Sequence, residues 1–346
     1  MPQGGKWDSI YCEKGDTLVL LFASIGVALV FDFLNGFHDS ANIVATMISS
    51  GAMTPRKALS MSAMAHFCAP FLFGVAVATT IGKDLVNPGS VTIVVILAAL
   101  VSAIVWNLIT WALGLPSSSS HALVGGLVGA VGLAEGLGAI QMSGLLKVAV
   151  ALVISPLLGL VIGYLFMKLV LFLAQGASPR INTLFKRLQV ITSLALALSH
   201  GTNDAQKTMG IIGMSLVAAG WSRDFVVPWW VIALSAAAIS LGTASGGWRI
   251  IKTLGAKIYR IRPIHGFTSQ VTSATVILGA ALLGGPVSTT QVVSSAIMGV
   301  GSAERLSKVR WGVAGEIFTA WVLTLPITAL LAALLYIPMS SFLGGR

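Results

Sequence analysis

The sequence predicts an all-α polytopic membrane protein made of two inverted-topology repeats, with broken helices and two re-entrant hairpins. Composition, apolar runs and a duplicated polar motif predict it. Hydrophobic residues make up 56% of the 346 and charged residues 9%, against about 25% charged in a soluble chain. Apolar stretches of about 18 residues or more recur along the chain, with no polar block long enough for a separate soluble domain.

Candidate spanning segments cover 17–50, 56–82, 90–114, 116–134, 143–174, 187–219, 226–246, 264–284, 286–301 and 311–337. The first has no small-residue cleavage site and is expected to be retained. With the N-terminus outside, thirteen Lys and Arg fall on inner loops: Arg56, Lys57, Arg180, Lys186, Arg187, Arg249, Lys252, Lys257, Arg260, Arg262, Arg305, Lys308 and Arg310. Six fall outside: Lys6, Lys14, Lys83, Lys147, Arg223 and Arg346. The positive-inside rule therefore puts both termini on the outer side.

"GFHDSAN" (36–42) aligns with "GTNDAQK" (201–207), and "PSSSSHALVGG" (116–126) with "PVSTTQVVSSA" (286–296), at offsets of 165 and 170 residues. The chain divides into a first repeat at 1–174 and a second at 175–346. The loop charges make the copies inverted, an architecture of secondary transporters whose site lies near mid-membrane. Residues 90–134 and 264–301 are each either two crossings or one re-entrant hairpin, and loop charge does not choose. Hairpins around 98–134 and 264–301 are preferred, because a proline followed by hydroxyl residues makes a poor lipid-facing segment and a good helix start inside a polar cavity.

Asp39 and Asp204 occupy equivalent positions near the middle of long apolar segments, where insertion of an Asp costs about 2.5–3.5 kcal/mol. Two such carboxylates, with Asn42 and Asn203, suit a sodium ion or a proton. Ser117, Ser118, Ser119 and Ser120 follow Pro116, and Ser288, Thr289 and Thr290 follow Pro286; helix N-termini with nearby hydroxyls bind anions. Such residues also merely pack helices. Lys207 stands where the first copy has Asn42; it either neutralises Asp204 or serves an anion. His38, His121 and His200 lie within the repeated elements, as carriers of a proton, donors to an anion or satisfied core residues. Asp32, Asn35, Asn107, Gln206, Gln270, Gln291 and Glu316 are weaker candidates, with Gln291 placed in the second hairpin as His121 is in the first.

A net charge of +10 does not point to nucleic acid, since apolar runs separate the basic clusters. Walker A, nucleophile-elbow and H-E-x-x-H signatures are absent, so no enzyme is expected. Cys12 and Cys68 sit in settings too different to pair with each other.

These motifs, with "AWVLTLPITALL" near the end, resemble the inorganic phosphate transporter family of bacterial phosphate permeases, and the resemblance covers nearly the whole chain. It implies a secondary active transporter that imports inorganic phosphate by cation symport with alternating access, as a homodimer in the cell membrane. By the same resemblance, Asp39, Asn42, Asn203 and Asp204 match phosphate and cation ligands. Ser118, Ser119, Ser120, Ser288, Thr289 and Thr290 match the hairpin-tip hydroxyls. His66 and Gln270 stand where sodium-coupled relatives carry glutamates, which turns the expectation toward proton coupling over sodium at Asp39 and Asp204. No cofactor is implied. The partners implied are phosphate, membrane lipid and a second copy. A sulfate permease of the same family is the alternative substrate reading, and an anion channel the alternative class, separated by accumulation against a gradient.

Overall fold

Prolines and glycines, more than any loss of hydrophobicity, set where the helices begin and end. The computed structural model describes residues 5–86 and 91–343, with side chains from Thr17 onward. The side chains of Lys6, Cys12 and Lys14, and both chain ends with Arg346, lie outside what is described.

Twelve α-helices follow in order, with no β-strand among the described residues. They are α1 Gly5–Ser49, α2 Pro55–Cys68, α3 Ala76–Thr79, α4 Ile93–Leu113, α5 Ser119–Ala134, α6 Met142–Leu173, α7 Ile181–Ala218, α8 Trp229–Ser245, α9 Trp248–Lys252, α10 Pro263–Leu282, α11 Thr289–Glu304 and α12 Trp311–Leu343. Pro55 and Pro263 open α2 and α10, where a missing N–H costs nothing. Gly114 after α4 and Gly284 after α10 have φ of 71° and 70°, left-handed positions that a side chain would strain. They lie 170 residues apart, at the offset of the hairpin motifs.

Both halves run through the same series of elements. A long helix (α1, α7) is followed by a bent pair that ends in a π-helical turn, at Thr80–Asp84 and Thr253–Lys257. The bends measure 69° and 58°. A hairpin (α4–α5, α10–α11) and a long helix with an internal proline (Pro156 in α6, Pro326 in α12) complete each half. Thr17–Ser49, α4, α6 and α12 are each long and apolar enough to cross a membrane, as is each bent pair taken as one span. The helix breaks fall in those pairs and in the hairpins, while α1 and α7 run unbroken through Asp39 and Asp204. Helix α7 starts at Ile181, ahead of the apolar segment expected from 187, because Asn182, Lys186 and Arg187 form polar first turns that hydropathy does not register.

The halves interlock. Helix α5 packs on α12 and α11 on α6, so each hairpin is held by the other half's last helix. Gly129 rests on the Ala329 carbonyl and Gly299 on the Leu160 carbonyl, and a Cβ at either glycine would overlap that oxygen. Outer faces carry exposed Val153, Leu157, Leu165, Phe318, Val322 and Leu330, while Ser24, Ser102, Thr110, Thr324 and the site acids are buried. Apolar outside and polar inside is the distribution lipid imposes. Ser117–Ser120 and Ser288–Thr290 are also buried, so the hairpin turns end inside the protein. Trp321 Nε1 donates to the Pro116 carbonyl (3.0 Å), and Ser120 Oγ donates to the Val287 carbonyl (2.9 Å), tying tip to tip.

Candidate functional site

Where the hairpin tips meet, α1 and α7 deliver their acids. Asp39 and Asp204 are 1% and 0% exposed, and ligand atoms of Asp39, His200 and Asp204 all lie within 4.8 Å of one another. Residues 165 apart in sequence therefore form one cluster.

Hydroxyls from the tips hold these carboxylates. Thr290 Oγ1 donates to Asp39 Oδ1 at 2.7 Å and Ser119 Oγ to Asp39 Oδ2 at 3.4 Å. Thr289 Oγ1 donates to Asp204 Oδ2 at 3.1 Å. Ser118 and Ser288 do different work: each is an N-cap, accepting from the backbone N–H of His121 (3.1 Å) and Gln291 (3.3 Å). This capping orients the first turns of α5 and α11, and the positive ends of their dipoles, at the acids. The six predicted hydroxyls thus divide into two caps, three carboxylate donors and one clip between tips.

The ring of groups around the acids is uneven. His38 Nδ1 lies 3.0 Å from Asp39 Oδ1, and His200 Nδ1 2.9 Å from Asp204 Oδ2. Lys207 Nζ, fully buried, contacts Asp204 Oδ1. Asn42 Nδ2 donates to Thr290 Oγ1 at 3.1 Å and lies 3.4 Å from His200 Nε2. Asn203 Nδ2 donates instead to the Gly285 carbonyl at 3.2 Å, bracing α7 against the second hairpin's turn. Asn42 Oδ1, Asn203 Oδ1 and His38 Nε2 are buried with no protein partner. Unspent buried polar atoms are costly unless something else bonds them. The grouped atoms of Asp39, Asp204 and His200 fit a cation, with the unspent amide oxygens of Asn42 and Asn203 close by in sequence on α1 and α7, and the hydroxyls with two helix starts fit an oxyanion.

Other predicted residues lie outside this cluster. The His66 ring stacks on His200, 5.2 Å between centroids, and its Nδ1 is 2.7 Å from Thr243 Oγ1, so it backs Asp204 through His200. Gln270 donates to Thr46 Oγ1 (3.0 Å) and accepts from Thr192 Oγ1 (2.6 Å), bridging α10 to α1 and α7 one turn beyond Asn42. His121 and Gln291, equivalent in the two hairpins, line one apolar cavity of about 720 Å³ that α6 and α12 also line. Gln206 Oε1 caps α3, accepting from Val77 N (2.8 Å) and Ala78 N (3.2 Å). Glu316 is exposed on α12. Thr46, Thr192 and Thr243 were not singled out in the sequence, because lone hydroxyls in membrane helices carry no distinguishing signal.

Comparison with known proteins gives the family and the fold. The profile described as "Phosphate transporter family" matches residues 35–332. A "Probable low-affinity inorganic phosphate transporter" of Rhizobium meliloti (strain 1021) is 48% identical over 320 residues, 92% of this chain and 96% of that protein. A Bacillus subtilis (strain 168) protein of the same description is 45% identical over 323 residues, covering 92% and 97%. A solved structure described as "The sodium-dependent phosphate transporter" superposes with a TM-score of 0.84 at 26% identity, over 93% of this chain and 99% of that one. Fold and relatives are those of transporters and not of enzymes.

Proposed function

The chain belongs to the phosphate transporter family, and from that premise we propose that it is a secondary active transporter importing inorganic phosphate by symport with a cation. One observation carries this reading: acids from α1 and α7 converge within ligand distance at the point where two hairpin tips bring hydroxyls and helix N-termini. The cation occupies Asp39 and Asp204 with Asn42 and Asn203. The anion sits against Ser119, Thr289 and Thr290, with an aspartate oxygen accepting its P–OH hydrogen. Sulfate, which lacks that hydrogen at neutral pH, is disfavoured at such an acceptor.

The repeats are 1–174 and 175–346, inverted across the plasma membrane, with both termini outside and two copies per assembly. The paired glycine contacts and the matching order of elements support the duplication; the loop charges support the inversion. Alternating access then rocks the interlocked halves about the acids.

Proton coupling is favoured by His66, which backs Asp204 through His200 where a sodium-coupled relative is expected to carry a glutamate. Sodium coupling is the second reading, favoured by the sodium dependence named for the solved relative. Labelled phosphate uptake into proteoliposomes under separately imposed pH and sodium gradients tests both. Accumulation on a pH gradient alone is expected; preference for labelled sulfate, or equilibration without accumulation, overturns the proposal.

A further inference from the structure

Among the described residues, the buried Asp, Glu, Lys and Arg side chains are Asp32, Asp39, Asp204 and Lys207. That is three carboxylates against one ammonium. Lys207 is committed to Asp204, and Asp39 has three polar neighbours from His38, Thr290 and Ser119. Asp32, 0% exposed, has no hydrogen-bond partner on either carboxylate oxygen. It sits two turns before Asp39 on α1, set among Phe31, Ala28 and Ile25 of the apolar core.

Its surroundings are polar but unspent. Asn35, one turn on along the same face, is fully buried with both amide atoms unpartnered. Thr208 of α7 has its hydroxyl beside Asp32, placed to share a hydrogen with it though short of full hydrogen-bond geometry. The charged groups bearing on Asp32 are Asp204 and Lys207, both from α7. Helices α4 and α8, also packed on α1, contain no titratable residue. His66 of α2 faces His200. Elements bearing other charges meet α1 at Phe37 and beyond, where Gly247 touches Phe37 and Gly255 touches Ala45.

An ionised carboxylate with no partner in an apolar interior is a state that proteins avoid by neutralising the group or pairing it. Lys207 already serves Asp204, so pairing would strip that acid. A sodium ion needs several oxygens at once, whereas a proton needs one lone pair and then lets the carboxyl donate to Asn35 or Thr208.

We propose that Asp32, with Asn35 and Thr208, is a proton-binding site separate from Asp39 and Asp204, and that its proton moves with the transported anion. This rests on the transport reading above. The proton is taken from water on the entry side onto an Asp32 oxygen and returned to water on the exit side, with no other bond changed.

Two measurements test it. In proteoliposomes holding a pH-sensitive dye, Asp32→Asn is expected to move one proton fewer per phosphate than the unaltered chain, and Asp32→Glu to restore the count. An unchanged count in Asp32→Asn, zero included, overturns the proposal. The second uses the unaltered protein, so it is independent of variant folding and of phosphate transport: dicyclohexylcarbodiimide, which attacks protonated carboxyls in apolar settings, is followed by peptide mass. Label on Asp32 that accumulates several-fold faster at lower pH is expected. No label there, pH-independent label, or protection by sodium at constant pH overturns the proton assignment. A chain that labels this way yet moves no phosphate refutes the transport reading and leaves the proton site standing.

Discussion

The two copies of the polar motif share a position and differ in how their acids are balanced. On α7, Asp204 has its counter-charge one turn ahead in Lys207, with His200 one turn behind. On α1 the residue one turn beyond Asp39 is Asn42, which reaches across to Thr290 of the other half. One carboxylate is neutralised by its own helix, and the other is held only by neutral donors and a histidine. The duplicated motif thereby carries two acids balanced in different ways, and under the proposed transport reading Asp39 is the one open to a cation. A buried charge left without its partner costs about 3–5 kcal/mol, or about 10²–10⁴-fold in binding. Asp39→Asn removes a carboxylate of the proposed cation site and is expected to abolish gradient-driven phosphate accumulation. Asp204→Asn does the same by stranding Lys207, and only there does Lys207→Met restore part of the activity. Proteoliposome uptake by the single and double variants reads this directly; rescue of Asp39→Asn by Lys207→Met would break the asymmetry.

The same contrast has a stability counterpart. Lys207→Met takes the ammonium from buried Asp204, leaving His200 and Thr289 beside it, and thermal unfolding of the purified protein should register a loss of up to about 3–5 kcal/mol. Asn42→Ala removes one neutral hydrogen bond and should cost about 0.5–1.5 kcal/mol. A cycle of Lys207→Met with Asp204→Asn isolates the pair energy, and a coupling near zero would mean that the ion pair is not what holds this part of α7.

Among the tip hydroxyls, Thr290 bonds both Asp39 and Asn42, whereas Thr289 bonds Asp204 alone. A hydrogen bond to a charged group contributes about 1.5–3 kcal/mol, so Thr290→Val should raise the KM for phosphate about 10-fold or more. Thr289→Val should raise it less, because Lys207 still holds Asp204. Initial uptake rates against phosphate concentration give the two values, and equal shifts would erase the distinction between the acids.

Much of this site was legible because polar residues inside apolar runs are expensive and therefore few. The repeated Asp, the hydroxyls after Pro116 and Pro286, and the odd Lys207 all stand out on that ground. Less legible was the division of labour: Ser118 and Ser119 are neighbours of one type, yet one caps a helix and the other bonds Asp39. That difference is set by φ and ψ at the helix start, which composition does not encode. Asp32 ranked low because it has no counterpart at the repeat offset, where Ala197 stands. Only three-dimensional burial reveals that both of its oxygens are unspent. Helix starts were blurred where polar turns extend a spanning helix, as at Ile181.

The smallest effects test the other side of the comparison, where the halves have stayed alike. Gly129 and Gly299 lie 170 residues apart and each seats a hairpin helix on a carbonyl of the opposite half's last helix. Neither touches the acids, so these contacts are free of the asymmetry in charge. Adding one methyl at such a crossing forces the helices apart, at a cost of about 1–3 kcal/mol. Gly129→Ala and Gly299→Ala should therefore lower thermal stability by similar amounts while leaving the order of the charge variants unchanged. If one glycine tolerates the methyl and the other does not, the two hairpins are held with different rigidity. The asymmetry would then extend from the charges into the scaffold, and one hairpin would be the element that moves during transport.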